Sequence, residues 1–498
     1  SSRGRRPDTT MLATPCLSAL HGCASVIGAS SSLSRGLAIR LAALPRGRRI
    51  SSGRNFLVSA ASVVVRGEVD VEVATARVVE QLAEQLGSQQ AGFALFFAKG
   101  YGARSASVGP YLKERLGGGS GSTTVVVGCN SEGGVIGAGQ EVQNDTFAIS
   151  ALAVSSTAVK AHPFHSSDLS ELPALRHGSW ETVGDDPQSI GGKAALALCT
   201  LPMASPGDPQ AWVRLLDIAL IGRTQNGGAT SSASLPPVVG GMAVGGQAYV
   251  DGELHAAGGA FGAVLTGSGK TSPRMAPVVC QGGEPFGPWL KITGVADDHV
   301  ITELDGRNPR EILHPLLNGP EVPGQGLSMA GIFVDPTPES SLAAAAAAAL
   351  AGAALGGGRA SCLVRPMHAF SEEGYLVLSP LTETLPYAAG MQFQLHCFSP
   401  EHALVELRSR AETDMALHNG EPPDAAVIIS CGARGVQLYG EEGVESRVLR
   451  ETWGRDVPTV GIFAGAEIGP VGLKTYLHGY TTSILMLRFG GAPSSSGT

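Results

Sequence analysis

Apolar residues along this chain alternate between short β-branched runs and longer stretches with helical spacing. Residues 57–65, LVSAASVVV, read as a strand. Val71–Leu86 repeats its apolar positions every three or four residues and runs into Gly87, the pattern of an amphipathic helix with a glycine C-cap. Residues 94–98 (ALFFA) predict a short buried strand and 111–116 a short helix. A β-branched strand then enters a glycine-rich turn across 123–139, TTVVVGCNSEGGVIGAG. Residues 211–221 (AWVRLLDIALI) form an amphipathic pattern after Pro209, and 235–246 (LPPVVGGMAVGG) repeat the strand-into-glycines theme. Gln247–Val250 and residues 260–265 follow as strands.

The second half behaves in the same way. Residues 278–313 read as two strands around a turn, with Asn308 capping a helix that opens on Pro309. Residues 391–398 predict a strand, Pro400–Leu417 a helix, and 425–430 a strand entering CGARG. Residues 457–472, VPTVGIFAGAEIGPVG, give a third strand-to-glycine turn, and 476–488 a closing strand. Strand and helix alternate throughout, so the expected class is α/β, of the mixed α+β kind. The echo between PPVVGGMAVG and VPTVGIFAGAEIG points to two related glycine-turn-rich domains, 57–270 and 271–490. Residues 1–56 are expected to be a disordered leader, and 491–498 a disordered tail.

Charge sharpens this division. The formal net charge is −8, yet residues 1–60 hold nine arginines and a single acid, Asp8, leaving 26 bases against 42 acids in the remainder. An acidic body argues against a nucleic-acid partner, because phosphate binding needs a basic footprint. The Arg- and Ser-rich, acid-poor start has the composition of an organelle transit peptide, with translation expected from Met11. Its serines favour a chloroplast destination, with the mitochondrion as the alternative. The uncharged run 340–358 is built of Ala and Gly, which give little transfer energy, so it reads as part of a low-complexity insertion over 337–360 and not as a membrane span. Cys16 and Cys23 lie in the leader, and the other six cysteines are scattered without a CxxC pair, so neither a disulfide framework nor a zinc site is expected.

Candidate chemistry gathers at the glycine turns. TGSGKTS at 266–272 imitates a phosphate-binding loop, but Val264 stands where the first glycine is required and two prolines follow, so a hairpin loop is the better reading. Glycines at strand ends let backbone approach a ligand, and the polar residues among them can orient it. GCNSEGG supplies Cys129, Asn130, Ser131 and Glu132. Gly240 and Gly241 lie in the second turn, Cys431 and Arg434 in SCGARG, Glu467 in GAEIGP, and His478 on the last strand. The competing reading is structural, with glycines serving tight turns, Cys431 a small buried apolar residue and Glu467 paired with Arg434. A nucleophile pair of Cys129 or Cys431 with His478 is conceivable, although no spacing specifies it. His162 and His165 in HPFH are expected in an exposed loop, and no histidine spacing marks a metal site. No cofactor is indicated; a haem would need one axial histidine, which the sequence does not single out.

An ordered string of motifs resembles the FIST family, named for F-box and intracellular signal transduction proteins. The matching pieces are GCNSEGGVIG (128–137), VVGGMAVGG (238–246), GGAFGAVLTG (258–267) and CQGGEPFGPWLKIT (280–293). ITELDGRNPREIL (301–313), IISCGARGVQLYG (428–440) and VGIFAGAEIGPVGLKTYLHGYTTSILMLR (460–488) complete it. The resemblance implies a FIST N-terminal domain followed by a FIST C-terminal domain, acting as a sensory module for small ligands such as amino acids, with haem sensing as a variant. The transit-like leader shows no F-box-like helical Leu-Pro segment, so no F-box is expected. The expectation is a protein without a catalytic motif that holds a small molecule between its two domains. Cys129, Ser131, Glu132, Gly240, Gly241, Cys431, Arg434, Glu467 and His478 would line or support the cleft, with Arg434 gripping a ligand carboxylate. A protein-interaction scaffold or substrate adaptor and a cysteine-dependent enzyme remain the alternatives.

Overall fold

In a computed structural model, residues 60–117, 123–166, 194–200, 238–256, 259–267, 274–296, 299–320, 322, 327–333, 362–378, 387–471 and 474–489 are described. The leader, the helix expected at 211–221, the Ala-rich run, the tail and most of TGSGKTS lie outside these residues.

Helices form where caps and periodicity agree. The Asp70 carboxylate accepts from the amides of Glu72 (2.9 Å) and Val73 (3.3 Å), and Gly87, at φ +62°, closes Val71–Leu86 by donating to Ala83. Asn308 accepts from Arg310 at 3.0 Å and starts Pro309–Leu317 as expected. Ser399 caps Pro400–Leu417. None of the described helices is long and apolar enough to cross a membrane.

The strands build three six-stranded sheets and one closed six-stranded barrel among the described residues. All of these residues fall in the compact unit Val58–Thr498. The three sheets share one plan, which makes the repeat threefold. The first chain segment supplies Ala60–Arg66, Ala91–Lys99 and Val125–Asn130, then the hairpin Val135–Gly137/Gln140–Val142, then Ala148–Ser155. The second supplies Val159–Ser166, Ala194–Thr200 and Val238–Ala243, then the hairpin Gln247–Val250/Glu253–Ala256, then Gly259–Gly267. The third supplies Arg274–Cys280, Ala425–Cys431 and Thr459–Ala464, then the hairpin Glu467–Val471/Lys474–His478, then Thr482–Arg488. In each sheet the order is first, last, second and third strand, followed by a hairpin, and only the second and third strands run parallel.

The hairpin always comes from another segment. The first segment's hairpin adds to the third sheet beside Thr459–Ala464. The second segment's adds to the first sheet beside Val125–Asn130, and the third segment's adds to the second sheet beside Val238–Ala243. The stretch 476–488, read above as one strand, is therefore two. It leaves the hairpin at His478, turns at Gly479 and Tyr480 (φ +59°), and enters a different sheet at Thr482.

One core lies where the three sheets face one another. Phe93, Leu95 and Phe97 meet Leu196, Leu198 and Phe261 there, along with Val427, Ile429 and Ile462. The alternate positions Ala94 and Phe96 pack under Val71–Leu86 and Val108–Leu116, which explains why Ala91–Lys99 is apolar on both faces. Leu407, Leu449 and Trp453 cover the third sheet in the same manner. The barrel, Gly283–Ala296, Val300–Leu304, Leu327–Phe333, Cys362–Phe370, Leu376–Leu378 and Gln392–Phe398, is inserted between the third segment's first and second strands and has its own apolar filling.

The glycine turns join the third strand of each segment to its exchanged hairpin, and they press on one another. A Cβ on Gly133 would sit 2.4 Å from the Phe463 carbonyl oxygen, and one on Gly245 2.5 Å from that of Asn130. Both obstacles are backbone, which cannot rotate away. Gly133→Ala is expected to lower stability by about 1–3 kcal/mol, read as a lower urea midpoint with unchanged slope.

Candidate functional site

Strand ends and turns of all three segments hold the sequence-selected residues, all but Glu132 buried, and in different roles. Cys129 sits inside the strand Val125–Asn130, paired with Phe97 and Ala248, and belongs to the central core. Ser131 is fully buried; its amide donates to the Ala98 carbonyl at 2.9 Å and its hydroxyl to that of Gly134 at 3.2 Å. Glu132 is exposed and accepts from the Gly100 amide at 3.2 Å. Gly240 and Gly241 pair with Ile468 and Glu467, and the space beside Gly241 is taken by Ile429 and the Ala466 carbonyl. These glycines serve close packing of strand on hairpin, which leaves no room for a ligand at Gly241. Burial alone drives the Cys129 thiol up, and burial followed by Glu467 does so for Cys431, so neither resembles an activated thiolate.

Arg434 is committed to the protein. Its Nε donates to Glu445 Oε1 at 2.6 Å, Nη1 to the Tyr480 carbonyl at 2.9 Å and the Cys280 carbonyl at 3.4 Å, and Nη2 to the Tyr439 hydroxyl at 3.3 Å. Glu445 also accepts from Ser430 (3.0 Å), Thr482 (2.9 Å) and Tyr439 (2.8 Å). Burial by itself would lower the Arg434 pKa, but the charge and hydrogen bond of Glu445, together with Tyr439 and Cys280, outweigh it and hold the guanidinium above its ordinary value. The ligand-gripping role expected for Arg434 is thus corrected, because its donors face built-in acceptors. Its carboxylate partner is Glu445, not Glu467.

Glu467 and His478 are directly opposite in the third segment's hairpin, so their side chains share one face with Tyr476. Both are buried and incompletely bonded. Glu467 Oε2 accepts from the Thr481 amide at 3.1 Å, while Oε1 has no partner. Burial raises the carboxyl well above the carboxylate range, favouring the neutral acid. His478 Nε2 lies 3.0 Å from the Gly469 carbonyl and must carry the proton there, leaving Nδ1 a bare acceptor without a partner. Burial, then the nearby Arg365, pushes the imidazole down to about 3, so it is neutral.

His162 and His165 also differ from expectation. They lie in the strand Val159–Ser166, and His165 stacks on His255 with ring centroids 3.5 Å apart. Burial, then His255, lowers His165 to about 4. Among the described residues no group of histidines, cysteines and carboxylates is placed to hold a metal ion.

Sequence reasoning missed Glu445, Glu141, Tyr476 and Arg365. Glu141, on the first segment's hairpin, accepts from the amides of Gly443 (3.0 Å) and Ser446 (2.7 Å) and so caps Val444–Trp453 across the exchange. Arg365 interrupts the apolar run CLVRPM, and that interruption was the available signal.

Residues 92–307 match the FIST N domain, a signal-transduction sensory domain, spanning most of the first segment, all of the second and part of the barrel. An uncharacterized protein of Mycobacterium bovis and two of Mycobacterium tuberculosis are each 29% identical over 255 residues, which is 50% of this chain. The alignment spans 60% of the length of each relative.

Two outcomes test the site's electrostatics. Arg434→Met strands Glu445 in the interior and is expected to cost about 3–5 kcal/mol in chemical denaturation. For His478 the folded pKa lies below the unfolded value of 6.5, so the unfolded state binds the extra proton. Its contribution is present above pH 6.5 and is lost as pH falls toward 3. His478→Gln is expected to flatten the decline of unfolding free energy across that window.

Proposed function

We propose that this protein is a small-molecule-binding sensory protein of the FIST type, and that its ligand reaches the face of the Glu467–His478 pair. The observation that carries this reading is the coincidence of two buried, unpaired polar atoms, Glu467 Oε1 and His478 Nδ1, on opposite strands of one hairpin. An unsatisfied buried polar atom costs about 1–3 kcal/mol, and two facing the same side offer complementary chemistry. The neutral acid donates, and the bare imidazole nitrogen accepts. Their position favours a sensory role. The hairpin belongs to the third segment, completes the second sheet and carries Tyr476 into the barrel filling, so a ligand there touches three parts of the fold at once. Buried thiols pushed upward favour binding over cysteine catalysis.

Native mass spectrometry of the purified chain tests the proposal. The expected result is a retained non-peptide mass that is released on unfolding and held at least about tenfold more weakly by Glu467→Gln and His478→Gln, in line with one lost buried hydrogen bond. A folded protein whose recovered ligands bind both variants as tightly as wild type would sink the reading.

A further inference from the structure

The described residues include three arginines whose side chains are buried to the tip: Arg365, Arg434 and Arg488. Two have a carboxylate built for them, Glu445 for Arg434 and Asp414 for Arg488. Arg365 has none. It lies on the barrel strand Cys362–Phe370 between Leu363 and Met367, which share its face and belong to the barrel filling, so alternation turns its side chain into the barrel. It is only 2% exposed. Nη1 makes one long contact, 3.4 Å, to the Val364 carbonyl, while Nε and Nη2 have no partner.

A guanidinium does not deprotonate in a protein, so this is a buried positive charge. Such a charge costs several kcal/mol unless an anion compensates it. The neighbours that act on Arg365 are Tyr387, Tyr476 and Cys362, with no carboxylate among them. Burial pushes the Tyr387 phenol up, so it stays neutral, and His478 is neutral as well. Burial also lowers the Arg365 pKa, which those neighbours only partly offset.

We propose that Arg365 anchors an anion-binding site inside the barrel that takes a small carboxylate. The two unpaired atoms decide the chemistry. Nε and Nη2 form one edge of the guanidinium, where two parallel N–H bonds match the two oxygens of a carboxylate. A cavity of about 310 Å³ that opens to the surface at Leu327, His368 and Ala369 is lined by Met367, the next position on the face of Arg365; Arg365 itself does not line it, so a ligand entering there reaches the guanidinium past Met367. Met is flexible enough to move aside for a small ligand. The site stands on the barrel and does not depend on the ligand proposed at Glu467 and His478, although Arg365 lies within electrostatic reach of His478.

The test uses the full chain, dialysed into chloride, with thermal unfolding and calorimetric titration at constant ionic strength. Sodium acetate is the carboxylate probe, and inorganic phosphate is the arm for a tetrahedral oxyanion. Acetate is expected to raise Tm above the chloride reference and Arg365→Met to abolish the rise, weakening acetate at least about tenfold for loss of a bidentate pair. Glu467→Gln should leave the acetate response intact, which separates this site from the hairpin. Without added anion, Arg365→Met should be no less stable than wild type, in contrast to Arg434→Met, because it removes an uncompensated charge. An acetate response equal in wild type and Arg365→Met overturns the proposal, as does phosphate acting where acetate does not. It is equally overturned if Arg365→Met destabilises the chain as strongly as Arg434→Met does, for then a group of the chain itself compensates the charge.

Discussion

Each of the three open sheets ends in a parallel pair whose outer strand would be left with unpaired amides and carbonyls, and in each case a hairpin from another segment covers that strand. The exchange is cyclic, from first to third, third to second and second to first. An uncovered edge is a template for aggregation, so no segment completes its own sheet without a neighbour. The common core of Phe93, Phe97, Leu198, Phe261, Val427 and Ile462 exists only when all three sheets are assembled. The glycine turns follow from the same constraint. A chain that leaves one sheet and enters another within a few residues must pass backbone against backbone, as Gly133 does at Phe463 and Gly245 at Asn130.

Polar groups drawn into this assembly show two outcomes of burial. Arg434 with Glu445, and Arg488 with Asp414, are closed networks that tie strands to helices in the low-dielectric interior. Glu141 does the same across the exchange by capping a helix of the third segment. Glu467, His478 and Arg365 are open, each with a buried atom that finds no partner. Tyr476 belongs both to the hairpin that carries Glu467 and His478 and to the filling of the barrel that holds Arg365.

Much of the local structure was legible in the sequence. The helices Val71–Leu86 and Pro400–Leu417, the cap at Asn308 and the strands entering the three glycine turns all follow from periodicity and capping. The mixed α/β class follows from their alternation. The repeat was visible as an echo between two turns, but its threefold nature was not, because the segments share a plan of strand pairing more than they share residues. The barrel escaped notice because its closure rests on pairing between strands far apart in sequence, such as Gly283–Ala296 with Gln392–Phe398. Of the site, Glu467 and His478 were legible as polar residues near a glycine turn. Their opposition was not, since 476–488 read as one strand until the turn at Tyr480 divided it.

The sequence alone determined where strands and helices begin, which turns need glycine and which polar residues interrupt apolar runs, because these depend on neighbours a few positions away. Only the tertiary structure decided which arginine is satisfied. Arg434 and Arg365 look alike in sequence, each a lone cation next to an apolar run. The difference lies in Glu445, which the chain brings to one of them, and in the barrel wall, which closes around the other without a described carboxylate. Charge compensation acts over a few ångströms of space, whatever the separation along the chain, and that distance is set only when the sheets assemble.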